Sequence, residues 1–196
     1  MKFARPIALV LLLATAACSE QSTDQPCPAL IGGGSYCLQP TTAVPPFDVQ
    51  QKVESRFRDR RDTLIVELEV DAAGLRFAGL TPFGQKLIQL SYDNRSASAT
   101  TIPDSRISPA LLVALLQLAQ WPAEAVRAGL EKPLTLEENG NQRRILNRGE
   151  PTLTIDYGHG QAPWRKIRMT VHAADLELTI ETLDAAPAAG KKQDPQ

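Results

Sequence analysis

Residues 108–121 read S-P-A-L-L-V-A-L-L-Q-L-A-Q-W, and Pro122 follows. Ser108 offers a side-chain oxygen suited to an N-cap, and Pro109 falls where the first turn of a helix has no use for an N–H. A helix is therefore expected to start here and to stop at Trp121-Pro122. Ala110, Leu111, Leu112, Val113, Ala114, Leu115, Leu116, Leu118 and Ala119 run round nearly its whole circumference, interrupted only by Gln117 and Gln120. A helix apolar on all sides needs cover on most of them. This one is shorter than the roughly 20 residues that cross a bilayer, so the cover must come from the rest of the chain or from an apolar ligand. Pro122 opens a second, shorter helix over 123–130, with Glu124 in its first turn.

On either side of this helical hairpin the rhythm changes to period two, the mark of half-buried strands. Before it, Val53, Ser55 and Phe57 share a face, as do Leu64, Val66, Leu68 and Val70, then Leu75 and Phe77, then Ile88, Leu90 and Tyr92, with a further short strand over 96–102. After it come Leu134 and Leu136, an Asn139-Gly140-Asn141 turn, and Arg143, Ile145 and Asn147; Asn-Gly is the strongest hairpin signal in the chain. Leu153, Ile155 and Tyr157, then Ile167, Met169 and Val171, then Leu176, Leu178 and Ile180 complete the series. Connections this short permit antiparallel meanders and exclude parallel crossovers. The expected fold is mainly β with a helical plug, of the α+β kind: a curved, half-open antiparallel barrel of about nine to ten strands enclosing the apolar hairpin. This domain is expected over residues 47–184, with 185–196, rich in Ala, Lys, Asp and Pro, disordered.

The N-terminus is laid out as an export signal. Lys2 and Arg5 precede the apolar run 7–13, and Ala14-Thr15-Ala16-Ala17 leads to Cys18. Small residues directly before a cysteine resemble the lipobox of bacterial lipoproteins, which implies cleavage after residue 17 and a diacylglyceryl thioether on Cys18. A secretory signal with an incidental cysteine is the plainer alternative. Ser19, and not Asp, follows Cys18, which by the sorting rule this resembles implies the outer membrane, periplasmic face. Loss of Lys2 and Arg5 with the leader takes the 21 basic residues to 19 against 22 acidic ones, a net −3, which gives no footing for nucleic acid. Cys27 and Cys37 remain, enclosing P-A-L-I-G-G-G-S-Y, a loop that turns back through its three glycines. In an oxidising compartment they are expected to form a structural disulfide, since no third ligand stands nearby for a metal. Residues 18–46, with prolines at 26, 28, 40, 45 and 46, read as a lipidated tether carrying a stapled loop and an extended arm.

Residues suited to catalysis are sparse. His159 and His172 are the only histidines, the first in a glycine-bearing loop and the second on a solvent face, and neither has neighbouring donors in the spacing a metal requires. No G-x-S-x-G elbow is present, and Gly32-Gly33-Gly34 lacks the Lys and helix of a phosphate loop. Glu67 and Glu69, and Glu137 and Glu138, read better as solvated strand faces than as acid-base pairs; Arg143, Arg144 and Arg148 read as surface. No cofactor, metal or catalytic residue is expected. What remains is apolar surplus: Leu64, Val66, Leu68, Phe77, Ile88 and Leu90 on the sheet, closed by Leu112, Leu115, Leu116 and Trp121, form either a filled core or a cavity for acyl or polyene chains.

The run 111–130, LLVALLQLAQWPAEAVRAGL, with TPFGQKLIQLSYD at 81–93, resembles an uncharacterised family of proteobacterial outer-membrane lipoproteins that accompany aryl polyene gene clusters. The likeness covers about residues 27–183 and includes Gln120-Trp121-Pro122 and a cysteine before Leu-Gln-Pro, as at Cys37. More distantly the chain is similar to the lipoprotein-localisation factors LolA and LolB. That resemblance implies a half-open barrel with a helical lid, a non-catalytic role, and a lipid-like ligand or lipidated protein as partner. A structural lipoprotein with a filled core, serving an envelope protein complex, is the other function these residues allow.

Overall fold

The computed structural model describes residues 25–102, 104, 107–158 and 166–187. Cys18, with the signal segment before it, His159 and the end of the chain beyond residue 187 lie outside the described residues. Five strands come first: β1 (Phe47–Phe57), β2 (Arg60–Asp71), β3 (Gly74–Leu80), β4 (Lys86–Tyr92) and β5 (Ala97–Thr101). The helices α1 (Pro109–Gln120) and α2 (Ala123–Gly129) follow, and then β6 (Leu134–Asn139), β7 (Gln142–Asn147), β8 (Glu150–Tyr157), β9 (Lys166–Val171) and β10 (Leu176–Pro187). All ten strands form one antiparallel sheet in the order β5-β4-β3-β2-β1-β10-β9-β8-β7-β6. The sheet is open, with β5 and β6 as its edges, and the helical hairpin joins those two edges. Each half is a simple meander. The seam between the halves is the pairing of β1 with β10.

The alternation read from the sequence places one continuous apolar face towards α1. Register carries it from strand to strand: Tyr92 opposite Leu75, Val70 opposite Leu75, Leu68 opposite Val49, Val53 opposite Ile180, Ile180 opposite Ile167, Met169 opposite Ile155 and Leu153 opposite Ile145. A one-residue slip in any pair would turn that strand's apolar residues to water. The outer face carries cross-strand ion pairs instead, among them Arg56 with Glu177 at 2.7 Å and Arg144 with Glu137 at 2.6 Å. Helix α1 begins as read: Ser108 Oγ accepts from Leu111 N at 3.1 Å and Pro109 occupies the first turn.

Four expectations change. The segment read as a tether with a loop and an arm is part of the core from Pro26 onwards: Tyr36 and Leu38 are fully buried, and Leu30 and Thr41 nearly so. The Cys27–Cys37 disulfide closes as expected, and the loop it staples lies against α2, where Cys37 N donates to Gly129 O at 2.7 Å. Only a glycine fits at 129, because a Cβ there would collide with the Cys37 carbonyl and the Tyr36 ring. The domain therefore starts well before residue 47. At the other end, β10 continues through Ala185, Ala186 and Pro187, which pair with Val49, Asp48 and Phe47 where disorder was expected; a strand edge offered by β1 outweighs their weak strand propensity. His172 is exposed, as expected, but it opens a one-turn 3-10 helix (His172–Ala174) where a strand was expected, and sits 2.8 Å from Thr154 Oγ1. Arg143, read as surface, is buried at 6% exposure.

Candidate functional site

Arg143 decides how α1 is held. On β7 it shares the inward face with Ile145 and pairs across to Glu138, so its guanidinium points at the end of the helix. It donates to the carbonyls of Leu118 at 2.7 Å and Trp121 at 2.9 Å, with Glu138 Oε1 2.7 Å away and the Tyr157 ring beneath it. A cation at a helix C-terminus answers both the unpaired carbonyls and the negative end of the dipole. Tyr157 Oη donates to Ala119 O at 2.9 Å, and Trp121 Nε1 donates to Pro40 O at 3.2 Å. Gln117, fully buried, both accepts from Gln39 N and donates to Gln39 O, each at 2.7 Å. Burial pushes the Tyr157 hydroxyl up to about 12, with Arg143 opposing and Glu138 reinforcing the rise. The C-terminal half of α1 is thus bolted to β7, β8 and the 39–40 segment.

Turns alternate between the two ends of the sheet. The Arg143 and Tyr157 anchors lie near the end that carries the β2–β3, β4–β5 and β6–β7 turns. The β1–β2, β3–β4, β7–β8 and β9–β10 turns form the other end, and the N-terminal half of α1 runs towards it, about 18 Å from the anchor at 1.5 Å per residue.

Burial falls towards this second end, strand by strand, over β1 to β4 and β10. Along β1 it falls from Val49 through half-buried Val53 to Phe57, 41% exposed; along β2 from Val70 and Leu68 to half-buried Leu64. Along β10 it falls from Ile180 to Leu178 and Leu176; Phe77 and Ile88 are half-buried where their neighbours Leu75 and Tyr92 are sealed. Leu111, Leu112, Leu115 and Leu116 of α1 are half-buried as well, all packed on the rim of the core. The result is a strip of half-buried apolar side chains at one end of the core, where the other end is sealed. Across β7, β8 and β9 no such gradient exists: Ile145, Leu153, Ile155, Ile167, Met169 and Val171 are all buried. There the open end is stoppered by the stapled loop, whose Gly32 carbonyl accepts from Asn147 Nδ2 at 3.0 Å and whose Gly34 abuts Leu134.

Of the residues expected to line a cavity, Leu64, Phe77, Ile88, Leu112, Leu115 and Leu116 are half-buried along this strip. Val66, Leu68, Leu90 and Trp121 lie deeper, in the sealed core. Sequence reading missed Val53, Phe57, Leu176 and Leu178, although their alternation had been noted; the β1–β2 hairpin sets Val53 beside Leu64, and the β1–β10 pairing, which has no local signal, brings Leu176 and Leu178 alongside. A recess, about 470 Å³, lies on the outer face between Asp48, Glu67, Glu69, Arg76, Gln89 and Ser98. Its Arg76 is already held by Glu69 and Asp71, which keep the guanidinium well above its ordinary pKa. Among the described residues no group of three His, Cys, Asp or Glu is placed to hold a metal.

The chain is similar in course to two solved structures. One is a LolA superfamily protein from Nitrosomonas europaea, 9% identical, with a TM-score of 0.46 over 78% of this chain and 95% of that one. The other, from Vibrio parahaemolyticus, is a domain named as an outer membrane lipoprotein-sorting protein, 8% identical, with a TM-score of 0.39 over 76% of this chain and 88% of that one. No curated protein matches. The family model described as "Protein of unknown function (DUF3261)" matches residues 48–184, the whole sheet from β1 to β10 with both helices, and the chain belongs to that family.

Proposed function

We propose that this protein is a lipoprotein of the outer membrane, anchored through Cys18 and facing the periplasm, which holds the hydrocarbon part of a lipid-like molecule or of a lipidated protein and helps to place it in the membrane without covalent chemistry. The observation that carries this reading is the graded exposure of Val53, Phe57, Leu64, Leu176 and Leu178 opposite the four half-buried leucines of α1. Apolar side chains left half-exposed in this way mark a binding surface, and these would line an apolar groove. Acyl and polyene chains are the occupants whose shape suits it. Each methylene removed from water contributes about 0.8 kcal/mol against an association cost of at least about 4 kcal/mol, so about 14 buried methylenes give low-micromolar affinity.

Titration of the mature protein with cis-parinaric acid, a polyene fatty acid that fluoresces on entering an apolar site, tests the groove directly. Saturable binding at micromolar concentration is expected, weakened at least tenfold by Leu178→Asp at the open end and unchanged by Thr135→Asp on the outer face. Native mass spectrometry after gentle extraction should show a co-purifying acyl or polyene mass. Absence of both signals would leave an anchored scaffold for an envelope protein complex, a reading favoured by the fully packed β7–β9 half.

A further inference from the structure

The protein has three tyrosines, Tyr36, Tyr92 and Tyr157, and all three are buried in the core. Tyr157 reaches the carbonyl of Ala119 and is satisfied there. Tyr36 and Tyr92 differ: neither hydroxyl finds a hydrogen-bond partner among the described residues. Thr41 Oγ1 and Gln120 Oε1 are in the same condition, on residues that are themselves more than nine-tenths buried. A fifth such atom, Asn147 Oδ1, belongs to the contact with the stapled loop at the opposite end of the sheet.

These four residues come from elements that meet at the sealed end of the core. Thr41 N donates to Asn94 Oδ1 at 2.7 Å, two residues beyond Tyr92. Trp121, the neighbour of Gln120, donates through Nε1 to the carbonyl of Pro40, the neighbour of Thr41. Burial raises the Tyr36 hydroxyl, Tyr92 adds to the rise and Arg143 opposes it, so the two phenols stand within electrostatic reach of each other. The Tyr36 ring lies so close to Gly129 that a Cβ there would collide with it, which leaves the ring little room to turn towards another partner. Arg143 is committed elsewhere: its Nε and both terminal nitrogens are engaged by Glu138 and by the carbonyls of Leu118 and Trp121.

A buried hydroxyl without a partner costs as much as a broken hydrogen bond, and folded proteins leave few in that state. Three hydroxyls and an amide oxygen gathered at one end of a core have the chemistry of a hydration site, because water both donates and accepts and makes about three hydrogen bonds when it is buried among polar groups. We propose that the sealed end is a binding site for ordered water, with one molecule bridging Tyr36 Oη and Tyr92 Oη and further molecules serving Thr41 Oγ1 and Gln120 Oε1. The 36–41 segment is then joined to β4 and α1 through solvent as well as through its direct bonds at Gln39, Pro40 and Thr41. The core is wet at the end that its half-buried apolar strip does not reach.

Tyr36→Phe and Tyr92→Phe, made singly and together in the mature protein, test the site through the sign of their effect. Removing a hydroxyl that has no partner of any kind leaves the protein as stable as before or more so, since an apolar ring edge is then buried in place of a polar one. Removing one that holds water strands the groups on the water's other side, so each single change is expected to lower the folding equilibrium constant several-fold in urea. Because both phenols hold the same molecule, the double variant is expected to lose less than the product of the two single losses. Single variants at least as stable as the wild type, or a double loss equal to that product, overturn the shared water. A crystal structure of the wild-type protein decides the matter without any substitution. An ordered solvent peak within hydrogen-bond distance of both Oη atoms is expected there; a dry contact, or a direct bond from either hydroxyl to a carbonyl, overturns the proposal.

Discussion

The two halves of the sheet are built from the same alternating strands and end in opposite conditions. On β7 to β9 every inward apolar residue is sealed, whereas on β1 to β4, and on β10 beside them, burial decays along each strand. The cause lies in what covers them. One half has the C-terminal turn of α1, α2, Trp121, Tyr36 and Leu38 pressed onto it, with Arg143 fastening the helix end and the stapled loop closing the top. The other has Leu111, Leu112, Leu115 and Leu116 of α1, which are left half-buried. A strand's periodicity decides which face turns inward; the length and attachment of the covering element decide how much of that face is dry.

That contrast can be broken from the sealed side first. Trp121→Ala removes the largest fully buried side chain and its hydrogen bond to Pro40, and should cost about 3–5 kcal/mol of unfolding free energy in urea. Next, Cys27→Ser with Cys37→Ser frees the stopper over β6 to β8; a loop this short gives a loss of about 2–3 kcal/mol, with hydrogen exchange rising at Leu134 and Asn147 before it rises at Leu68. High pH should act on the same anchors. Burial raises Tyr157 and Tyr92 to about 12, and Tyr36 further. Each is then protonated in both states below about pH 10 and loses stability above it, as the unfolded chain releases protons that the folded chain retains. Unfolding between pH 10 and 12, with the α1 C-terminus exchanging first, is the expected course; Tyr157→Phe should blunt that early local step. On the open side the effects should be smallest. Leu64→Ala, at a half-buried rim position, is expected to cost under about 1 kcal/mol in stability while weakening parinaric acid binding several-fold. A loss as large as that of Trp121→Ala would mean that the groove is core after all.

Much of this was legible beforehand. Ser108-Pro109 marked the start of α1, Trp121-Pro122 its end, and inward residues of every strand but β5 followed from period two, because a half-buried face imposes that rhythm wherever it occurs. Three features were not. Residues 26–46 contain five prolines and three consecutive glycines, so local signals gave a tether; only the long-range contacts of Tyr36 and Leu38 make the segment core. Arg143 looked like surface because charge usually is, although its place one step of alternation before Ile145 put it inside. The groove itself depends on the β1–β10 pairing, which joins residues more than a hundred positions apart and leaves no local trace. Gln117 is a smaller case: a polar residue in an apolar helix read as an interruption, and its amide is what splices the 39–40 segment to α1.

The seam between β1 and β10 governs when this molecule can exist as a folded object. Its two strands stand far apart in the chain, so the two meanders cannot be joined into one sheet until the last strand has been delivered. Non-local pairing of that kind is slow to form. A polypeptide threaded through a membrane from its N-terminus would emerge with one edge of β1 waiting for the remainder of the chain, and the full sheet would close only after translocation had ended.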